Sequence, residues 1–170
     1  MPLQITIRAE RPTDVALIAE ITREAFRFHL HSSHTEHFII DALRSGNVLS
    51  VSLVAEVNGQ LVGHVAFSPV TVADGSQGWY GLGPIAVSPA RQGQGIGRAL
   101  IENGLVALRK LGAQGCVLLG EPKFYGRFGF RSNKELVLEG APQDHFLSLA
   151  FGEKVARGRV TYNEAFNARS

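Results

Sequence analysis

The sequence predicts a mixed α/β fold: a central, mostly antiparallel sheet whose fourth and fifth strands run parallel and are bridged by a helix. Three observations carry this expectation. Two apolar runs, Val51–Val57 and residues 61–72, flank Asn58-Gly59, the strongest short hairpin signal a sequence offers. A β-rich run over 79–87 passes through Ser88-Pro89 and glycines at 93, 95 and 97 straight into an amphipathic helix. Beyond that helix, residues 116–119 form a short, wholly apolar run, most simply a buried strand parallel to the fourth. An antiparallel meander with one right-handed β-α-β crossover is the layout these signals share.

Taken in order, residues 4–8 alternate as a first strand. Thr13 is placed to cap a helix on which Ile18, Ile21, Ala25 and Phe28 recur at helical spacing. Ser33-x-x-Glu36 reads as a capping box for a second helix, with Phe38, Ile39, Ala42 and Leu43 on one face and Gly46 at its end. After the hairpin, Asp74-Gly75 marks the turn before the fourth strand. The helix from Gly95 buries Leu100, Ile101, Leu105 and Leu108 and stops at Gly112. The tail offers strands near 130–137, 145–150 and 159–162. There is no internal repeat, low-complexity tract or linker, so residues 1–170 are expected to form one domain.

Composition narrows the function classes. Hydrophobic content of 45% and a mean hydropathy of +0.05 suit a globular chain, and no window approaches the ~18 uninterrupted apolar residues of a membrane span. The N-terminal residues show no signal-peptide pattern, so the expected setting is cytoplasmic, with no membrane partner. A net charge of +2 without a run of like charges lacks the electrostatic footprint of a nucleic-acid binder, despite a sequence pI near 8.9. The single cysteine, Cys116, allows no internal disulfide and reads as a small core residue.

The turn after the fourth strand is where chemistry first shows. Glycines 93, 95 and 97 let main-chain N–H groups crowd at a helix N-terminus, where free donors and the positive dipole end favour an anion. Arg91 and Arg98 flank it with positive charge, and a cofactor pyrophosphate is the anion this best suits. The dinucleotide fingerprint fails because Arg98 falls where its third glycine belongs, and no Gly-Lys-Ser/Thr closes a P-loop. A plain tight strand-to-helix turn is the alternative. Within the fourth strand, Gly83-Pro84 signals a bulge, since proline cannot donate to a ladder; a simple bend is the other reading.

What remains, Gln92-x-x-Gly95-x-Gly97, resembles the acetyl-CoA motif of the GNAT superfamily of N-acyltransferases, whose pattern is Arg/Gln-x-x-Gly-x-Gly/Ala. A second segment, residues 120–130 (G-E-P-K-F-Y-G-R-F-G-F), is similar to the other hallmark of that superfamily: a strand, a short helix carrying Phe-Tyr, then Gly-Phe. The resemblance spans nearly the whole chain, strongest over 78–131 and weakest over 28–50. It extends to His145-Phe146-Leu147 and to residues 161–166 near the end, as in a group of small bacterial-type acetyltransferases.

The resemblance implies an acetyl-CoA-dependent N-acetyltransferase in which an amine attacks acetyl-CoA directly in a ternary complex, with no metal. It implies that the fourth and fifth strands splay at the acetyl-CoA site. Ile85, Ala86 and Val87 would then pair their main chain with the pantetheine arm, while Gln92, Gly93, Gln94, Gly95, Ile96, Gly97 and Arg98 hold the pyrophosphate. Tyr125 would be the general acid toward the departing thiolate, or else a wall of the site. Phe124 and Phe128 are read as packing and cofactor-wall residues.

The base is unassigned. Many relatives place a glutamate on the fourth strand, where this chain has Tyr80, Gly81, Leu82 and Gly83. Glu121 is the first candidate, beside a water chain or a base from residues 29–37. His29, His31, His34 and His37 lack the H-E-x-x-H pattern and read as polar lining of an acceptor pocket rather than as metal ligands. His64 reads as a hydrogen-bonded sheet residue. No G-x-S-x-G hydrolase elbow occurs. The rival readings are a non-catalytic acyl-CoA-binding or sensor domain and an enzyme using a longer acyl group. Homodimerisation through the C-terminal strands is a further expectation from the family.

Overall fold

The computed structural model describes residues 3–170, and alternation decides its architecture. The elements run β1 (Ile5–Ala9), α1 (Val15–Phe26), α2 (Glu36–Ser45), β2 (Val51–Val57), β3 (Gln60–Val72), β4 (Trp79–Val87) and α3 (Ile96–Lys110). Then follow β5 (Gly115–Leu119), α4 (Pro122–Tyr125), β6 (Arg131–Ser132), β7 (Leu136–Val137), β8 (Phe146–Ala150) and β9 (Gly158–Tyr162). The nine-stranded sheet has the order β1-β2-β3-β4-β5-β8-β6, with β9 on the far half of β3 and β7 on β9.

On β2, Val51, Ala55 and Val57 turn to the face covered by α3, where they meet Ile96, Leu100, Ile101, Leu105 and Leu108. Val54 turns to the opposite face and packs on Ile18 of α1 and Ile40 of α2. The sheet therefore carries helices on both sides. Against α3 the approach is close: a Cβ on Gly104 would overlap the fully buried ring of Phe67.

The Asn58-Gly59 hairpin forms as expected, with φ of 53° and 74° at its two central residues, both positive as a type I′ turn requires. β4 has the expected bounds, and β5 pairs with it in parallel. The bulge at Gly83-Pro84 is also present. Val65 pairs with Ile85 and Phe67 with Leu82, so two steps on β3 oppose three on β4. Gly83 has φ 136° and the Gly83-Pro84 peptide is cis.

Several local expectations are corrected. α1 is entered through a 3₁₀ turn at Pro12–Asp14, so the helix begins after Asp14 rather than Thr13 and has no side-chain cap: the Asp14 carboxylate goes to Arg8 (2.7 Å) and to the Arg11 N–H (2.6 Å). Phe28 lies beyond the helix end and is 86% exposed. α2 begins after Thr35 without a side-chain cap, and the hydroxyl that meets Glu36 is that of Ser32 (2.6 Å), not Ser33. Its buried face includes His37 and Ile40, with Phe38 only half-buried. The run 130–137 breaks in two because the Asn133 side chain accepts the Glu135 N–H (3.0 Å) in a local turn, sending β6 to β8 and β7 to β9.

Candidate active site

The site begins where two neighbouring strands part. β4 pairs with β5 only over Trp79–Gly115, Tyr80–Cys116 and Gly81–Val117. Past the bulge β4 stays on β3, while the end of β5 stays on β8. The Ser88 N–H donates to Val62 O (2.8 Å), which sets the antiparallel alternation. The main chain of Ala86 is thereby turned toward β3, and those of Ile85 and Val87 toward the gap. Gln92 Nε2 donates to the Val87 carbonyl at 3.2 Å, so the Val87 N–H is the group left facing the opening.

A cleft of ≈ 1040 Å³ fills the gap. Eight of the residues singled out in the sequence line it: Ile85, Ala86, Val87, Gln92, Gly97, Glu121, Phe124 and Tyr125. At one end the glycine turn enters α3. Gly95 is its N-cap with φ 85°, a conformation natural to glycine, and the N–H groups of residues 93–97 donate no main-chain hydrogen bond within the described residues. The space beside the turn is open, since a Cβ at Gly93 or Gly95 would meet nothing within 4 Å. The turn therefore presents free donors at the positive end of a 15-residue helix, which is what an anion requires.

Some singled-out residues stand elsewhere. Gly93, Gln94 and Gly95 are exposed and are not among the residues that line the cleft. Ile96 contributes main chain only, because its side chain is buried in the core. Arg98 Nε pairs with Glu102 at 2.7 Å on the exposed side of α3. Phe128 stands behind the wall, edge-on to Phe124 with centroids 5.7 Å apart. Of the histidines, His29 and His31 line the cleft, while His37 is buried against Phe38 with ring centroids 4.0 Å apart.

At the other end stands Tyr125, closing α4. Its ring meets Phe124 and Phe130 edge-on, at 4.9 and 6.2 Å between centroids. Gly120 makes room for it, since a Cβ there would overlap the ring. Burial pushes the Tyr125 phenol above its ordinary value, so it stays protonated at neutral pH. The Gly120 N–H donates to His145 O (2.9 Å), which brings His145 to the same lip of the cleft. There His145 Nδ1 is 3.1 Å from Asp144 Oδ1, and Nε2 is 3.8 Å from Glu121 Oε2. Glu121 is solvent-exposed, and its carboxylate caps α4. Asp144 and His145 were missed as site residues: they reach the cleft only through the β5–β8 pairing, which leaves no local trace in the sequence.

Residues 80–83 of β4 hold no carboxylate, and at Gly81 there is no room for one. The ring of Tyr162 lies 2.8 Å from where a Gly81 Cβ would stand, so an aromatic side chain from β9 fills that space. Cys116 is fully buried and burial raises its thiol far above the ordinary value, which makes it inert. His64 is fully buried as well; Nε2 shares a 2.7 Å hydrogen bond with the Ser52 hydroxyl, which itself meets Glu10. Among the described residues no group of three or more His, Cys, Asp or Glu could hold a metal ion, and no helix is long and apolar enough to cross a membrane.

Residues 15–130 match the Acetyltransferase (GNAT) family. The uncharacterized N-acetyltransferase YhbS of Escherichia coli (strain K12) is 39% identical over 169 residues, 95% of this chain and 98% of that protein. A crystal structure of a GNAT family acetyltransferase from Brucella melitensis, in complex with acetyl-CoA, superimposes with a TM-score of 0.86 at 48% identity, covering 96% of this chain and 98% of that one. The crystal structure of Escherichia coli YhbS in complex with CoA superimposes with a TM-score of 0.88, at 34% identity in the structural alignment and covering 100% and 96% of the two chains.

Proposed function

Because this chain belongs to the GNAT family of acetyltransferases, we propose that it transfers the acetyl group of acetyl-CoA to a primary amine, directly and in a ternary complex, as one domain over residues 1–170. One observation carries this reading. The parting of β4 from β5 opens a single cleft that runs from a glycine turn with free N–H groups to a partly buried, protonated phenol.

In this reading the N–H groups of residues 93–97 hold the donor's pyrophosphate at the helix N-terminus. The outward-facing main chain of Ile85 and Val87 adds the pantetheine arm to the sheet as a further strand-like partner. The Val87 N–H faces the thioester oxygen and stabilises the charge that develops there. Phe124, backed by Phe128, walls the arm.

The proton balance assigns the rest. An ammonium that becomes an amide gives up two protons while the C–N bond forms and the C–S bond breaks. One replaces the proton that Tyr125 Oη delivers to the departing thiolate sulfur; the other leaves to solvent. Both must first be taken from nitrogen, and the groups placed to do so are Glu121 and His145 at the cleft lip. The Nδ1–H of His145 donates to Asp144, leaving Nε2 as the acceptor.

A non-catalytic acyl-CoA-binding domain is the second reading, favoured by the lack of a carboxylate at residues 80–83 of β4. Thiol release from acetyl-CoA, measured with purified protein and a panel of primary amines, separates the two. Amine-dependent release is the expected result. Tight acetyl-CoA binding without release for any amine supports the sensor reading instead.

A further inference from the structure

We infer that the acceptor is a singly charged primary amine on an apolar, ring-sized body, held in a second lobe of the cleft. This rests on the acetyl-transfer reading above and narrows it. The lobe, ≈ 640 Å³, shares Phe26, Leu82, Pro84 and Leu119 with the first and continues past the point where β4 and β5 part. An amine seated there presents its nitrogen at the junction, where His29 and His31 belong to both lobes.

The body of the acceptor follows from the walls. The lobe is bounded by an edge-to-face aromatic pair, Tyr162 and Phe166, with centroids 4.9 Å apart and planes at 81°. Ile39 and Leu138 add aliphatic surface. The Tyr162 ring is there because Gly81 leaves room for it. A flat apolar group buries area against these walls, whereas a hydrated polyol or a thin polycation leaves them wet.

The charge of the acceptor follows from what lines the lobe. Among the described residues its charged linings are Glu36 and Glu139, with no lysine or arginine. Glu139 is already paired with Arg159 at 3.1 Å. That leaves Glu36, which accepts from the Ser32 hydroxyl at 2.6 Å, as the free negative group. Burial also keeps the Tyr162 phenol neutral, so the aromatic wall offers no second anion. One positive charge is matched there. Several are not.

The test compares amines at one pH, reading kcat/KM by thiol release alongside acetyl-CoA affinity by calorimetry. Phenethylamine and ethylamine differ by the ring alone, and the ring should raise kcat/KM about 30-fold or more. Phenethylamine should also exceed spermidine, kanamycin and a tetra-alanine peptide with a free N-terminus. Ala141→Arg, in the loop lining the lobe, should raise the KM for phenethylamine about tenfold while acetyl-CoA affinity is unchanged. Acetyl-CoA binding with no gain from the ring, with better turnover of any other acceptor in the panel, or with no turnover at all overturns the inference. Failure to bind acetyl-CoA refutes the acetyl-transfer reading itself, so the two failures are distinct.

Discussion

Tyr125→Phe separates chemistry from packing, because the structure makes the hydroxyl dispensable to the fold. The ring is held by Gly120, Phe124 and Phe130, and the Tyr125 N–H donates to Glu121 O at 3.0 Å; none of these contacts uses the phenol oxygen. Loss of a hydroxyl that stabilises nothing should move Tm by less than about 2 °C in a domain of this size. A positioned general acid contributes roughly 10²–10⁴-fold, so kcat should fall at least about 10²-fold, or about 2.7 kcal/mol of barrier. The KM for acetyl-CoA should change little, since the ring beside the donor remains; lost uniform binding would show the opposite pattern. Burial raises the phenol above its ordinary value, and the acid is active while protonated. The wild-type kcat should therefore show no Tyr125-dependent decline below the ordinary phenol range of about pH 10. The assay is thiol release under saturating acceptor, after a pre-steady-state burst has been excluded so that chemistry limits the rate. A phenylalanine variant within about threefold of wild-type kcat refutes the acid role and returns Tyr125 to the wall of the cleft.

Gly97→Asp tests the phosphate cradle more cleanly than any change at Gly95, whose φ of 85° strains every L side chain. An aspartate in the first turn of α3 suits the helix dipole but repels an anion, so Tm should hold or rise while acetyl-CoA affinity falls at least about tenfold by calorimetry. Gly104→Ala should destabilise the fold by about 1–3 kcal/mol in urea unfolding, because the added methyl overlaps the buried Phe67 ring. His64 gives a pH signature. Burial lowers its imidazole to about 4, so the native state resists a proton that the unfolded chain takes up below about 6.5. Stability is then unaffected above that value and declines as pH falls toward 4, by about 2 kcal/mol between pH 6.5 and 5. His64→Gln should flatten that slope, with Glu10, Ser52, Arg44 and Asp14 left in place around it.

How much of the site could be read from the chain depends on how local each part is. The glycine turn was legible because its shape is set by main chain: glycine spacing, a strand before it and an apolar helical period after it are all properties of one continuous segment. Tyr125 was legible for the same reason, lying within an 11-residue motif that forms its own short helix. The bulge at Gly83-Pro84 was marked by the two residues least able to continue a ladder. Errors fell where neighbours compete for one role. The α1 boundary fell at Asp14 rather than Thr13, with the Asp14 carboxylate given to Arg8 and the Arg11 N–H, and Ser32 rather than Ser33 reached Glu36.

Sequence alone determined the sheet's central meander, the crossover, the glycine turn and the candidate acid, since each is written in a periodicity or motif within a single stretch of chain. Only the tertiary structure decided what surrounds the reacting atoms. His145 and Asp144 reach the lip through β8 pairing with β5, Tyr162 takes the space beside Gly81 through β9 pairing with β3, and Phe128 is moved behind Phe124 by the packing of two rings. Apart from the Phe124–Phe128 pair, these contacts join residues tens of positions apart. Which side chain fills a given volume depends on the neighbours that fold against it, and no pattern within one segment records them.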